Sequence, residues 1–270
     1  MIKFIIKRLL ALIPVLVGVS LLVFFILDLA PGDPAKEQAR PEDIEAFREE
    51  MGLNDPFIVR YVNYMLGLCQ GDLGTSYKTR DPVGEEVWAR LPNTAMLALT
   101  STVVAILLAL PLGIIAAIKQ NTLFDGISMF ISLLGISMPV FWMGLLLILF
   151  FSVKLGWFPV SGADQGIKSL VLPSIALGFM HMASIARTTR SSMLETIRQD
   201  YIRTVRAKGL PEKEVITRHA LRNALIPTTT VIGLQIGGML GGSVLTESVF
   251  AWPGIGRYMI QSIQGRDIPS

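Results

Sequence analysis

Charge is scarce in this 270-residue chain: Asp, Glu, Lys and Arg together make up 17%, where a soluble domain carries about a quarter. That shortage argues against a water-soluble globular fold. Cysteine is scarcer still. Cys69 stands alone, which excludes an internal disulfide and any multi-cysteine zinc site; a buried or idle thiol is expected. The only histidines are His181 and His219, and no acidic residue shares a span centre with His181, so a proton relay cannot be assembled. No Gly-x-x-x-x-Gly-Lys-Ser/Thr run exists to cradle phosphate, and neither Gly-x-Ser-x-Gly nor His-Glu-x-x-His occurs. Gly254-x-Gly256 lacks a third glycine and a preceding strand, so it reads as a turn. The chain is not an enzyme by itself. A net charge of +3 also gives no footing for nucleic acid, because membrane topology explains the basic residues better.

What the chain has in quantity is apolar sequence: 51% of residues, with a mean hydropathy of +0.55. The apolar residues gather in blocks, and about 20 of them in helix cross a hydrocarbon layer of ~30 Å. An all-α polytopic membrane protein with five spans is expected, at Leu9–Leu29, Thr94–Ile118, Ile127–Val153, Leu170–Ala186 and Ala224–Leu245. The first block is longer than the core of a signal peptide and lacks a small-residue cleavage site, so it reads as an uncleaved helix. With the N-terminus inside, residues 1–8, 119–126 and 187–223 face the cytoplasm and hold 13 Lys and Arg against 5 Asp and Glu. The short loops decide such a count. They place the N-terminus in the cytoplasm of a multi-pass chain.

Three regions follow: an N-terminal tail and first helix at 1–29, an extracytoplasmic segment at 30–93, and a core at 94–270 that ends in an outer segment at 248–270. The extracytoplasmic segment should be helical from Pro41 to Met51, with turns at Asn54-Asp55-Pro56, Gly71-Asp72 and Asp81-Pro82. The cytoplasmic loop 187–223 carries the most information. Helix formers fill Met193–Lys208, Gly209 suits a left-handed helix end, and Pro211 opens the next helix. Leu194, Ile197, Tyr201, Val205 and Leu210 recur at helical spacing with arginines on other faces. Two helices thus meet at an elbow fit for docking a cytoplasmic partner, or for lying on anionic lipid.

Within the membrane, His181 is either a neutral histidine hydrogen-bonded inside the bundle or a pathway residue. Gln235 and Ser243 line a pathway or hydrogen-bond across it. Gly233, Gly237 and Gly241, four apart, leave one bare helix face for packing, within the chain or against a partner. Asp28 and Glu247 sit near outer helix ends, where water should reach them. Pro139 and Pro173 should kink their helices, and Trp142, Trp157 and Trp252 fit interfacial belts.

Asp200-Tyr-Ile-Arg-Thr-Val-Arg-Ala-Lys-Gly209-Leu, followed by His219-Ala-Leu-Arg-Asn-Ala-Leu-Ile-Pro227, resembles the coupling-loop signature of binding-protein-dependent ABC importer permeases. Within them it is most similar to the dipeptide/oligopeptide/nickel branch, of the dipeptide permease B type. Pro31-Gly-Asp-Pro34, Gly71-Asp-Leu-Gly74, Arg190-Ser-Ser-Met-Leu-Glu195, Phe250-Ala-Trp-Pro-Gly-Ile-Gly256 and Arg266-Asp-Ile-Pro269 extend the match over the whole chain. Val205 departs from the small residue usual in the family. The resemblance implies a type I ABC importer transmembrane domain (MetI-like) that moves di- or oligopeptides inward. It implies four kinds of neighbour: a second homologous permease subunit, two ATPase subunits, an extracytoplasmic solute-binding protein and membrane lipid. No cofactor is expected on this chain, ATP and Mg being held by the partner subunits. The ATPase-coupling residues carried over are Asp200, Tyr201, Thr204, Ala207, Lys208, Gly209 and Leu210. A nickel or metal-chelate permease, a glutathione permease and, from another class, an ion-coupled secondary carrier are the alternatives. Relatives of this type continue into a further helix after Arg-Asp-x-Pro, so the expected sixth span is absent and a C-terminal truncation is expected.

Overall fold

The computed structural model describes residues 2–29, 35–36, 40, 42–265, 267 and 269. Pro31-Gly-Asp-Pro34 and Arg266 therefore lie outside the described residues, as does Pro41, where the first outer helix was expected to begin. The described chain is helical, with one isolated β-bridge between Thr75 and Pro82. It divides into two compact units, Met1–Ala89 with Gln261–Ser270, and Arg90–Ile260.

The first unit opens with α1, Ile2–Leu29. Its apolar window has no buried residue, so its helical state rests on composition rather than on packing in this chain. Short helices α2 (Ile44–Glu50) and α3 (Phe57–Gln70) follow. Gly52 and Gly71 take positive φ, 62° and 82°, where the expected turns end them. Phe24 of α1 sits among Phe57, Tyr61 and Tyr64 of α3, with ring centroids 5.5–5.8 Å away. Beside this cluster Arg60 pairs with Asp28 at 2.5 Å. Of the two states expected for Cys69, buried or idle, burial does not hold: it is exposed, because it lies in the last turn of α3, which buries none of its residues.

The second unit is built around α7, Ile167–Ile197. Before it come α4 (Val83–Ile118), α5 (Leu123–Ser137) and α6 (Val140–Leu147), the last continuing as a π-helical stretch, Ile148–Lys154. The single span expected at Ile127–Val153 is instead two helices bent by 104°. Pro139 has no N–H to give and disfavours helical geometry at the residue before it; Met138 accordingly takes ψ 124°. Pro173, in contrast, lies inside an unbroken α7. Among the described residues, four continuous helices are long and apolar enough to cross a membrane, and the bent pair is the fifth if it counts as one span.

Two thirds of the apolar window of α7 is buried. Leu170, Leu177, Met182 and Ile185 form a core with Leu97, Ala105 and Ala109 of α4 and with Met239. Three glycines let backbones meet. A Cβ at Gly178 would lie 2.7 Å from the Ser101 carbonyl oxygen, one at Gly113 2.7 Å from that of Ala186, and one at Gly135 2.5 Å from that of Phe179. These pack helices against one another, whereas Gly233, Gly237 and Gly241 have no described atom within 4 Å of a Cβ. After α7 come α8 (Asp200–Ala207), then Glu212–Glu214, a π-helical Val215–Ala220 and α9 (Leu221–Gly242). The chain closes with α10 (Val244–Val249) and α11 (Ile255–Gln264). At ten residues, α11 reaches about 15 Å, too short to cross a bilayer.

Candidate functional site

The elbow is more helical than its sequence suggested. The 187–223 segment is no open loop, since α7 runs on to Ile197 and the fifth span starts back at Glu212. Nor is Met193–Lys208 one helix: it breaks at Arg198–Gln199, where Gln199 is extended at ψ 148°. That break resets the helical phase. Ile202, not Tyr201, turns inward and is fully buried with Met193, Val215 and Ala220, while Val205 and Leu210 are half-buried against them. Tyr201 stays 39% exposed; its hydroxyl accepts from Asn223 Nδ2 at 2.7 Å and donates to the His219 carbonyl at 3.3 Å.

Gly209 holds the corner with φ 78° and nothing within 4 Å of where a Cβ would stand. Its need is conformational. Pro211 precedes the next helical residue with φ −65° and ψ 142°, one position earlier than expected. Across the corner Arg206 forks onto Glu212, Nε to Oε2 at 3.0 Å and Nη2 to Oε1 at 2.6 Å. These hydrogen bonds raise the Arg206 pKa above that of a free guanidinium. Neither residue was singled out from the sequence, although their six-residue spacing around a glycine corner is the available signal. Asp200, Thr204, Ala207, Lys208 and Gly209 are exposed together, so five of the seven residues expected to couple form one outward face over a closed apolar floor. A cleft of about 530 Å³ opens beside it, lined by Gln120, Arg190, Leu194, Glu195, Arg198 and Asp200. Arg190 anchors its wall through two 2.7 Å bonds to Asp125 of α5.

In mid-membrane the structure brings two expected residues together: His181 Nδ1 and Gln235 Oε1 lie 2.6 Å apart. Ser243 is elsewhere. It is buried and donates to Glu247 at 2.9 Å. Glu247 is fully buried rather than water-exposed, because its carboxylate is enclosed by donors: Thr94 Oγ1 at 2.8 Å, Ser243 Oγ at 2.9 Å and the Arg257 backbone N–H at 3.0 Å. The last of these is an N-terminal amide of α11, where a negative charge is favoured. A Cβ on Gly254 would fall 2.3 Å from this carboxyl group, which explains a glycine there. Trp252 is buried as well, its indole N–H bonded to the Asn93 carbonyl at 3.0 Å, so it belongs to this knot and not to an interfacial belt. Gly233, Gly237 and Gly241 have nothing within 4 Å of a built Cβ; their face is bare.

A family model described as "Binding-protein-dependent transport system inner membrane component" matches residues 109–270. The chain belongs to this family. A companion model for the N-terminal part of such membrane components matches residues 1–98. The permease is 47% identical to the dipeptide transport system permease protein DppB of Alkalihalophilus pseudofirmus, over all of this chain and 90% of the relative. It is 46% identical to the glutathione transport system permease protein GsiC of Escherichia coli O6:H1, covering 89% of that protein. It is 43% identical to the oligopeptide transport system permease protein AppB of Bacillus subtilis, covering 90%; both of these matches span the whole chain. Among solved structures, the inward-facing MetNI methionine ABC transporter matches with a TM-score of 0.54 at 16% identity, over 68% of this permease and 85% of that chain. An amino acid ABC transporter with histidines matches at 0.53 and 16%, over 68% and 82%. At that identity these last two speak for the fold alone, a MetI-like transmembrane domain. The permease is a multi-pass transport subunit and not an enzyme.

Proposed function

We propose that this permease carries di- or oligopeptides inward as one half of an ATP-driven importer. A second permease subunit completes the pathway, two ATPase subunits hold ATP and Mg, and an extracytoplasmic binding protein delivers the solute. The observation that carries this reading is the elbow. Asp200, Thr204, Ala207, Lys208 and Gly209 are presented outward while Ile202 seals the floor beneath them, the arrangement a docking helix needs if it is to be moved as a rigid piece. Relatives named for dipeptide, oligopeptide and glutathione transport support a peptide cargo, glutathione being itself a peptide. The bare face of Gly233, Gly237 and Gly241 is assigned to the partner permease, since nothing among the described residues covers it.

The elbow lies on the cytoplasmic side in this reading. Uptake of a labelled dipeptide should require co-expressed ATPase subunits and fall to background without them; uptake that persists without them overturns the coupling. Orientation is tested with thiol reagents in a Cys69→Ser background, needed because Cys69 is exposed. A cysteine at Thr217, an exposed position, should react only with reagents that enter the cell. One at Thr79, also exposed, should react from outside. Ser192 is unsuitable for such labelling, being buried.

A further inference from the structure

His181 of α7 and Gln235 of α9 sit well inside two of the helices long and apolar enough to cross the membrane. Each is half-buried, and the 2.6 Å contact between Nδ1 and Oε1 uses one polar atom of each. The other polar atoms, Nε2 of His181 and the second amide atom of Gln235, have no hydrogen-bond partner among the described residues. Neither residue is fully enclosed. A Cβ on Gly238 would meet only His181 Cε1 at 3.9 Å and Gln235 Oε1 at 4.0 Å. The pair therefore opens onto unfilled space beside a bare helix backbone. Polar side chains in a span are tolerated where they face water or a polar partner rather than lipid.

The chemistry of the pair is fixed whichever way the rings and amide are turned. If neutral His181 donates through Nδ1 to the Gln235 oxygen, then its Nε2 is an acceptor and the Gln235 NH₂ a donor. If instead Gln235 donates to Nδ1, then Nε2 carries the proton and the amide oxygen accepts. Both arrangements leave one donor and one acceptor free for a further partner. A peptide group presents the matching set, one C=O and one N–H.

We propose that His181 and Gln235 form a subsite that reads the peptide group itself, through its carbonyl oxygen and N–H, without reading the side chains on either side. This inference rests on the peptide cargo assigned above and adds where in the chain, and by which atoms, the cargo is recognised during passage. Such a site passes any sequence with an intact amide, as suits a pathway that leaves choice among side chains to another component.

The test compares a dipeptide with its depsipeptide analogue, in which an ester oxygen replaces the N–H, in cells expressing the complete importer. One neutral hydrogen bond corresponds to roughly a fivefold difference in maximal transport rate. The wild type should favour the amide by about that factor. Gln235→Leu and His181→Phe should each bring the ratio to about one at equal permease abundance, while the half-saturating concentration, set by capture outside, stays unchanged. His181→Gln, which restores a donor and an acceptor, should keep the wild-type ratio. Variants that transport peptide with the wild-type preference intact would overturn the subsite and leave the proposed function standing. A wild-type importer that moves no peptide in the presence of its ATPase subunits would overturn both.

Discussion

Two corners of the permease are built on glycine for opposite reasons. At the elbow, Gly209 stands in open space and is required for its φ of 78°. In the knot at the other end of α9, Gly254 is pressed against the Glu247 carboxyl group, where a Cβ would lie 2.3 Å away. The elbow directs its polar groups outward, where they stay exposed and bond to one another, as Arg206 does to Glu212. The knot directs them inward and satisfies them with Thr94, Ser243 and the Arg257 amide. An exposed corner and a buried joint thus differ in where their hydrogen bonds end.

The knot should fail hardest. Glu247→Leu strands three donors, and a buried unsatisfied group costs about 1–3 kcal/mol, so a loss of at least about 3 kcal/mol is expected. It is read as a fall in the melting temperature of the detergent-solubilised importer. A stability equal to wild type would show that the carboxylate is not the centre of the knot.

Next come the backbone contacts of α7. Gly135→Ala places a methyl group 2.5 Å from the Phe179 carbonyl oxygen, and overpacking of this kind costs about 1–3 kcal/mol. Gly233→Ala, with nothing within 4 Å, should leave the melting temperature of the isolated subunit unchanged. If it is covered by the partner, as proposed, the same change should weaken co-purification of the second permease.

Gly209→Val strains the left-handed corner by roughly 1–2 kcal/mol and should depress transport more than stability. Gly209→Asn should retain most uptake, because asparagine tolerates that conformation. The matching change Gly254→Asn should not be tolerated, since the obstacle there is volume. Equal tolerance at the two positions would erase the distinction between them. The smallest effect is expected at Arg206. Its bond to Glu212 joins two exposed side chains, 38% and 55% accessible, so Arg206→Ala should cost under about 1 kcal/mol and less in high salt.

Much of this was legible from residue order. Block length alone located four of the helices, and Gly209 announced the corner, because both signals are local. Three features were not. Helix ends ran past their apolar blocks: α4 begins at Val83 and α7 continues to Ile197, since polar residues extend a helix readily once it has left the hydrocarbon layer. The inward turn of Ile202 depends on a break at Gln199 that no proline or glycine marks. Glu247 was placed in water because a lone acid near a helix end has that as its ordinary fate. Its burial depends on donors 153 residues before it and ten after, a relation that only the fold creates. The His181–Gln235 contact is of the same kind, spanning 54 residues: both residues stood out as polar in apolar surroundings, but their pairing did not.

The backbone contacts along α7 have a mechanical meaning. Helix α7 touches α4 at Gly178 and again at Ala186 and Thr189, and it touches α5 through Phe179 and through the Arg190 fork onto Asp125. A rod gripped at several heights, carbonyl against glycine, has little compliance sideways, and close-packed interiors compress little along their length. His181 lies 16 residues before Ile197 on this unbroken helix, about 24 Å along the axis. α8 begins three residues after that end. A push on α8 that crossed the break at Arg198–Gln199 would reach the depth of His181 as translation of a stiff shaft.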